Sequence, residues 1–145
     1  MEKEFVAERP KVGIGLLIVK NNSQILLGER IGSHGSGEFS GVGGHMEFNE
    51  SFVDTAMREM REEIGENIII TEPKFLCVTN LRKYLPKHYV DIGMKATWIS
   101  GDPTILEPDK IVSWDWHPIN KPPKPLFGAT ENYITALITG QTYFE

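Results

Sequence analysis

Glu59, Glu62 and Glu63 crowd three carboxylates into about one helical turn, with Arg58 beside them and Glu50 upstream. Like charges at this spacing repel one another, so the cluster makes physical sense as a seat for a cation. A divalent metal is the first chemistry this implies, and pyrophosphate hydrolysis the second. The surrounding segment 44–65, GHMEFNESFVDTAMREMREEIG, reads as a glycine turn followed by an amphipathic helix. Ser51 caps the helix, with Asp54 in the reciprocal position of a capping box, and Gly65 ends it. Phe52, Val53, Ala56, Met57, Met60 and Ile64 recur at three- and four-residue steps, as one buried face requires. At about 100° per residue, Glu59 and Glu63 lie roughly 40° apart, with Glu62 roughly 60° to the other side of Glu59. All three therefore share one face. Arg58 is expected to point away from them and to hold the preceding loop through Glu50. A solvated acidic face is the plain alternative; the Gly43-Gly44 turn and Glu50 weigh against it.

These residues resemble the Nudix box, Gly-x5-Glu-x7-Arg-Glu-U-x-Glu-Glu-x-Gly-U, where U is a bulky aliphatic residue. Gly44, Glu50, Arg58, Glu59, Met60, Glu62, Glu63 and Gly65 match in register, and Glu66 departs where an aliphatic is expected. Further segments, among them Gly28–Ser33, Gly43–Phe48, His88–Val90, Glu107–Lys110 and Trp114–Trp116, resemble the MutT-related nucleotide-pool hydrolases. Relatives usually read Leu-Pro-Gly-Gly-His where this chain has Gly41-Val42-Gly43-Gly44-His45. The missing proline loosens a loop that lines the base pocket, and so bears on base selectivity more than on catalysis.

The resemblance implies a metal-dependent pyrophosphohydrolase that turns a (deoxy)nucleoside triphosphate into the monophosphate and pyrophosphate. Hard oxygen donors favour Mg²⁺, with Mn²⁺ as a substitute. Glu59 and Glu63 are the expected direct ligands, with Glu62 a third ligand or a base. By family analogy the Gly43 carbonyl is a further ligand, and glycine at 43 and 44 lets the backbone approach a phosphate closely. Glu107 is the other candidate base, because many relatives draw a catalytic carboxylate from the loop before the last strand. Arg30, at a strand end, is read as pairing with a phosphate. His45 either contacts the substrate or stabilises its loop. Asp91 sits mid-strand, where an unpaired buried carboxylate is costly; it faces either an amino-bearing base or solvent. Phe127 either stacks on the base or packs in the core.

These side chains need a scaffold, and the pattern supplies one. Val12–Val19 is a nearly continuous apolar run suited to a buried strand, Asn21-Asn22 a turn, and Gln24–Arg30 a second strand. Residues 31–38, rich in Gly and Ser and including His34, read as a mobile loop. Ile68–Leu81 and His88–Ile99 read as two strands joined across Arg82–Lys87, followed by a polar loop at Gly101–Asp109 and a short strand at Val112–Trp116. Trp114 and Trp116 share a face of that strand, so at least one is structural. Thr130–Thr139 is the last helix, ended by Gly140. This order implies an α/β protein with helices on both sides of a mixed sheet. The Nudix resemblance implies the same α/β/α sandwich.

Length and charge narrow the rest. At 145 residues, the chain 1–145 is expected to form one Nudix domain with a real core. A net charge of −5 leaves no basic footprint for duplex nucleic acid. Cys77, the one cysteine, lies in an apolar run and is expected in the core of a cytoplasmic protein. No segment is long and apolar enough to suggest a membrane span, and the N-terminus, MEKEFVAERPK, lacks a signal-peptide core. The expected partner is the nucleotide substrate. A homodimer is also expected, built on the apolar residues of strand 68–81 and the tail Tyr143-Phe144. Two other functions keep the box: hydrolysis of nucleotide sugars or dinucleoside polyphosphates, and a non-catalytic nucleotide sensor. The intact glutamates argue against the sensor.

Overall fold

The computed structural model describes residues 8–32 and 35–145; most of the N-terminal stretch, and His34 of the 31–38 loop, lie outside the described residues. In chain order the elements are β1 (Lys11–Lys20), β2 (Gln24–Arg30), β3 (Phe39–Ser40), β4 (Val42–His45), α1 (Phe52–Ile64), β5 (Ile68–Ile70), β6 (Lys74–Tyr84), β7 (Lys87–Gly101), β8 (Ile111–Pro118), α2 (Thr130–Thr139) and β9 (Tyr143–Phe144). The sheet runs β3-β2-β1-β7-β6-β9, with β4 on β1, β5 on β7 and β8 on β2. It is mixed: β1 lies parallel to β7 but antiparallel to β2 and β4.

β1 is apolar at nearly every position because both of its faces are covered. Ile14, Leu16 and Ile18 join Ala56, Met60 and Ile64 of α1 in one cluster. Leu17 and Val19 point the other way, against Tyr133, Ile134 and Ala136 of α2 and against Cys77. The expected α/β/α sandwich is therefore present. Cys77 is fully buried, with its thiol pushed up to about 12 by that burial. Trp114 is a core residue as well. At the β1–β2 turn Asn21 and Asn22 both adopt positive φ, which asparagine tolerates better than most residues.

Two expectations need correction. Ile68–Leu81 is not one strand: β5 and β6 both pair with the long β7, and the chain breaks between them at Glu72-Pro73. Proline has no N–H to give to a ladder. The stretch before the box helix is also more than a turn. Val42–His45 is a strand on β1, pairing Gly43 with Gly15 and His45 with Gly13. The tail Tyr143-Phe144 adds parallel to β6 at the sheet edge. Among the described residues no helix is long and apolar enough to cross a membrane.

Candidate active site

Ser51 caps α1 as expected, its hydroxyl accepting from the Asp54 N–H at 3.0 Å, and Gly65 closes the helix with φ 83°. Arg58 binds both oxygens of Glu50 (Nε to Oε2 2.7 Å, Nη2 to Oε1 3.0 Å) and donates to the His45 carbonyl at 2.9 Å. Thr55 and the Glu47 N–H also donate to Glu50. Glu50 is accordingly held down to about 2, chiefly by its Arg58 hydrogen bond. Arg58 does not, however, point away from the helical carboxylates. Its Nη1 reaches Glu59 at 2.9 Å and Glu62 at 3.5 Å. The planar fork has donors enough to serve the loop and the helix together.

Those bonds aim the carboxylates. Glu59 lies directly against Gly44, where any β-carbon would overlap its carboxyl group. Glu63 accepts from the Gly43 N–H at 3.3 Å. A β-carbon on Gly43 would come within 2.7 Å of the Ile14 carbonyl, so the two glycines let β4 fit between β1 and α1. Burial pushes Glu63 up to about 8, with Glu59 and Glu107 adding to the rise and Gly43 and Arg30 opposing it. Glu59 is also raised, first by burial and then by Glu62 and Glu107, against the pull of Arg58. Glu107 is thus close enough to act on both helical carboxylates, although it also pairs with Lys110 at 3.3 Å. Glu62 is the most exposed of the three box glutamates on α1.

An all-oxygen donor set whose ionised forms are disfavoured by burial and mutual repulsion fits a hard divalent cation, which would relieve both. Among the described residues no three acidic, histidine or cysteine side chains close on one point.

Across β4 from these carboxylates lies a cleft. Its rim holds Arg30 and Phe127, the guanidinium 3.9 Å from the ring centroid, with Tyr84 packed on Phe127 at 5.2 Å. His45 stacks on Tyr89 at 5.4 Å and shares a 3.2 Å hydrogen bond with its hydroxyl. Asp91 lines the same cleft, half-buried and accepting from the Tyr133 hydroxyl. Arg30, Gly43, Gly44, His45, Asp91 and Phe127 therefore gather in one place, and Glu59 and Glu63 adjoin it through the two glycines. The sequence reading missed Tyr84, Tyr133 and Ser40 as cleft residues. Tyr84 fell in a presumed turn, and Tyr133 is indistinguishable by periodicity from a core residue of α2.

Known proteins share this fold. The NUDIX domain family model matches residues 9–137. A MutT NUDIX hydrolase from Burkholderia pseudomallei is similar at 30% identity and TM-score 0.80, over 89% of this chain and 98% of its own. An ADP-ribose pyrophosphatase from Streptococcus suis shares the fold at 19% identity and TM-score 0.69, over 94% of this chain and all (100%) of its own. The NUDIX domain of Shewanella oneidensis NrtR, complexed with ADP ribose, does so at 16% identity and TM-score 0.73, over 90% of this chain and 87% of its own.

Proposed function

This chain belongs to the Nudix family, whose hydrolases act on nucleoside diphosphate derivatives and generally use divalent metal ions, and on that premise we propose that it is a metal-dependent pyrophosphohydrolase cleaving a (deoxy)nucleoside triphosphate to the monophosphate and pyrophosphate. The observation that carries the reading is the adjacency of an aromatic, base-sized cleft to the Glu59–Glu63 carboxylates across Gly43-Gly44. Glu59, Glu63, Glu62 and the Gly43 carbonyl would hold Mg²⁺ or Mn²⁺. When bound, that ion supplies charge neutralisation at the phosphates.

The chain's own residues do the remainder. Phe127 stacks on the base, Arg30 pairs with a phosphate, and His45 and Gly44 border the sugar–phosphate path. Arg58 keeps Glu59 and the 45–50 loop in register. Glu62 or Glu107 takes the proton of the attacking water. Glu62 has the better access, whereas Glu107 is drawn toward Lys110. ADP-ribose processing is the second reading, supported by the likeness in fold to an ADP-ribose pyrophosphatase and to a NUDIX domain complexed with ADP ribose. We also infer a homodimer through exposed apolar residues such as Ile69 and Phe75; a monomer in sedimentation velocity would remove that inference.

The test is pyrophosphate and phosphate release from the four dNTPs, 8-oxo-dGTP, 5-methyl-dCTP, GTP, ADP-ribose, a nucleotide sugar and a dinucleoside polyphosphate. Glu63→Gln runs beside the wild type. Metal-dependent pyrophosphate release from a triphosphate, reduced on the order of a hundredfold or more in the variant, is the expected result. Turnover confined to ADP-ribose, the sugar or the polyphosphate would keep the hydrolase and replace its substrate.

A further inference from the structure

The floor of the cleft is built from two cross-strand rows on the α2 side of the sheet. Gly43, Gly15 and Gly93 form one row across β4, β1 and β7, and His45, Gly13 and Asp91 form the next. Residues opposite one another in a ladder share a face, so His45 and Asp91 flank a bare glycine. Without a side chain at Gly13, the Asp91 carboxylate and the Tyr89 ring close over that position, and Tyr89 in turn packs on His45. The first row is bare for another reason: side chains at Gly15 or Gly93 would collide with the Tyr133 ring. Tyr133 is thereby seated under the cleft with its hydroxyl on Asp91 Oδ2.

Asp91 is half satisfied. Its Oδ1 lies on the Gly13 side, 3.4 Å from where a β-carbon there would stand, and no described residue donates to it. Among the described residues no cation stands beside it either: burial pushes the carboxyl up to about 6, opposed only by the Tyr133 hydrogen bond. Near pH 7 it remains mostly an acceptor. A carboxylate oxygen held at such a site without a donor is unfavourable, so the site is complete only when something else binds it.

We propose that Asp91 Oδ1, oriented by Tyr133, reads the edge of the substrate's base and selects one that presents an exocyclic amine in place of a carbonyl oxygen, as cytosine and adenine do. The inference rests on the nucleoside triphosphate reading above and deepens it. Asp91 accepts from the amine. Uracil, thymine and hypoxanthine would set a carbonyl oxygen against the carboxylate. Guanine offers two adjacent donors and needs two acceptors, but Tyr133 already occupies one oxygen of Asp91. Tyr133 is a positioning residue in this scheme.

The experiment is calorimetric binding of nucleoside 5′-monophosphates at pH 7.5, which needs no turnover. The pairs dCMP/dUMP and dAMP/dIMP exchange an amine for a carbonyl, and dGMP/dIMP adds the second guanine donor. Wild type is expected to favour the amine-bearing member of one of the first two pairs by about tenfold or more, as a hydrogen bond to a charged group allows. It should not favour dGMP over dIMP. Asp91→Asn, nearly isosteric, should erase the preference. Tyr133→Phe keeps the ring but frees Oδ2, and should create a preference for dGMP over dIMP. Ratios unchanged in Asp91→Asn, or no preference within the first two pairs in the wild type, would overturn the proposal. The expected pattern in a protein that hydrolyses no triphosphate would uphold base reading and remove the triphosphate reading.

Discussion

Arg58 and Asp91 show how single side chains set this site, by opposite means. Arg58 is saturated with partners on the loop, at Glu50 and His45, and on the helix, at Glu59 and Glu62. Lysine would bring a point charge in place of the fork. Arg58→Lys is expected to lose about 10–100-fold in activity or metal affinity, the usual effect of disturbing a group that orients ligands. A Mg²⁺ titration of the variant's activity checks this. Asp91 is under-partnered, and its folded value of about 6 lies above the ordinary carboxyl value of 3.8. The folded protein therefore holds this proton more tightly than the unfolded chain does. The resulting stability is fully present below pH 4 and is lost as the pH rises through 6. The shift corresponds to about 3 kcal/mol. Urea unfolding from pH 4 to 7 should show wild type losing about that much relative to Asp91→Asn, which does not titrate. Parallel curves would mean that Asp91 is ionised throughout. The spacing of the box glutamates made Glu59, Glu62 and Glu63 legible from sequence. The Arg58 contact to Glu59 was not, because helical angles place backbones and not the reach of a long side chain.

At the level of elements, β4 separates the carboxylates from the cleft, and its two glycines do different work. A methyl group on Gly44 meets the Glu59 carboxyl, the movable end of a flexible side chain; one on Gly43 meets the Ile14 carbonyl, which is backbone. Gly44→Ala should therefore fold with a melting temperature near wild type but lose most activity, its Glu59 displaced. Gly43→Ala should instead part β4 from β1 and destabilise the fold by about 1–3 kcal/mol. Thermal melts beside turnover assays separate the two, and equal destabilisation would deny β4 this division. The same strand shows where sequence reading stops. β1, β2, α1 and α2 declared themselves through apolar periodicity, Asn21-Asn22 and the terminal glycines. β4 is half glycine, and its strand character comes from pairing with β1, a partner some thirty residues away. β9 is likewise made by its neighbour β6. The break in Ile68–Leu81 was visible in Pro73, which cannot donate to a ladder.

For the whole molecule, the two helices divide the labour. The helix α1 brings acid to one side of the sheet and α2 brings Tyr133 under the cleft on the other, so metal and nucleotide would approach from different faces and meet at β4. A chain of net charge −5 with crowded carboxylates repels a triphosphate of about four negative charges. Arg30 lies nearby, but Glu63 also bears on it. Mg²⁺ alone should bind only modestly, because it lacks the substrate phosphate oxygens that would complete its coordination. Each ligand lowers the electrostatic cost of the other, which is a positive coupling and must be reciprocal. Thermal melts with Mg²⁺ alone, a non-hydrolysable triphosphate alone and both together measure it. The joint stabilisation should exceed the sum of the separate ones by about 1–3 kcal/mol, and Glu63→Gln should shrink that excess. Strictly additive shifts would mean that metal and nucleotide do not meet across β4. A Mg²⁺-independent shift from the triphosphate alone would mean that the cleft binds nucleotides without the carboxylates, as a sensor does.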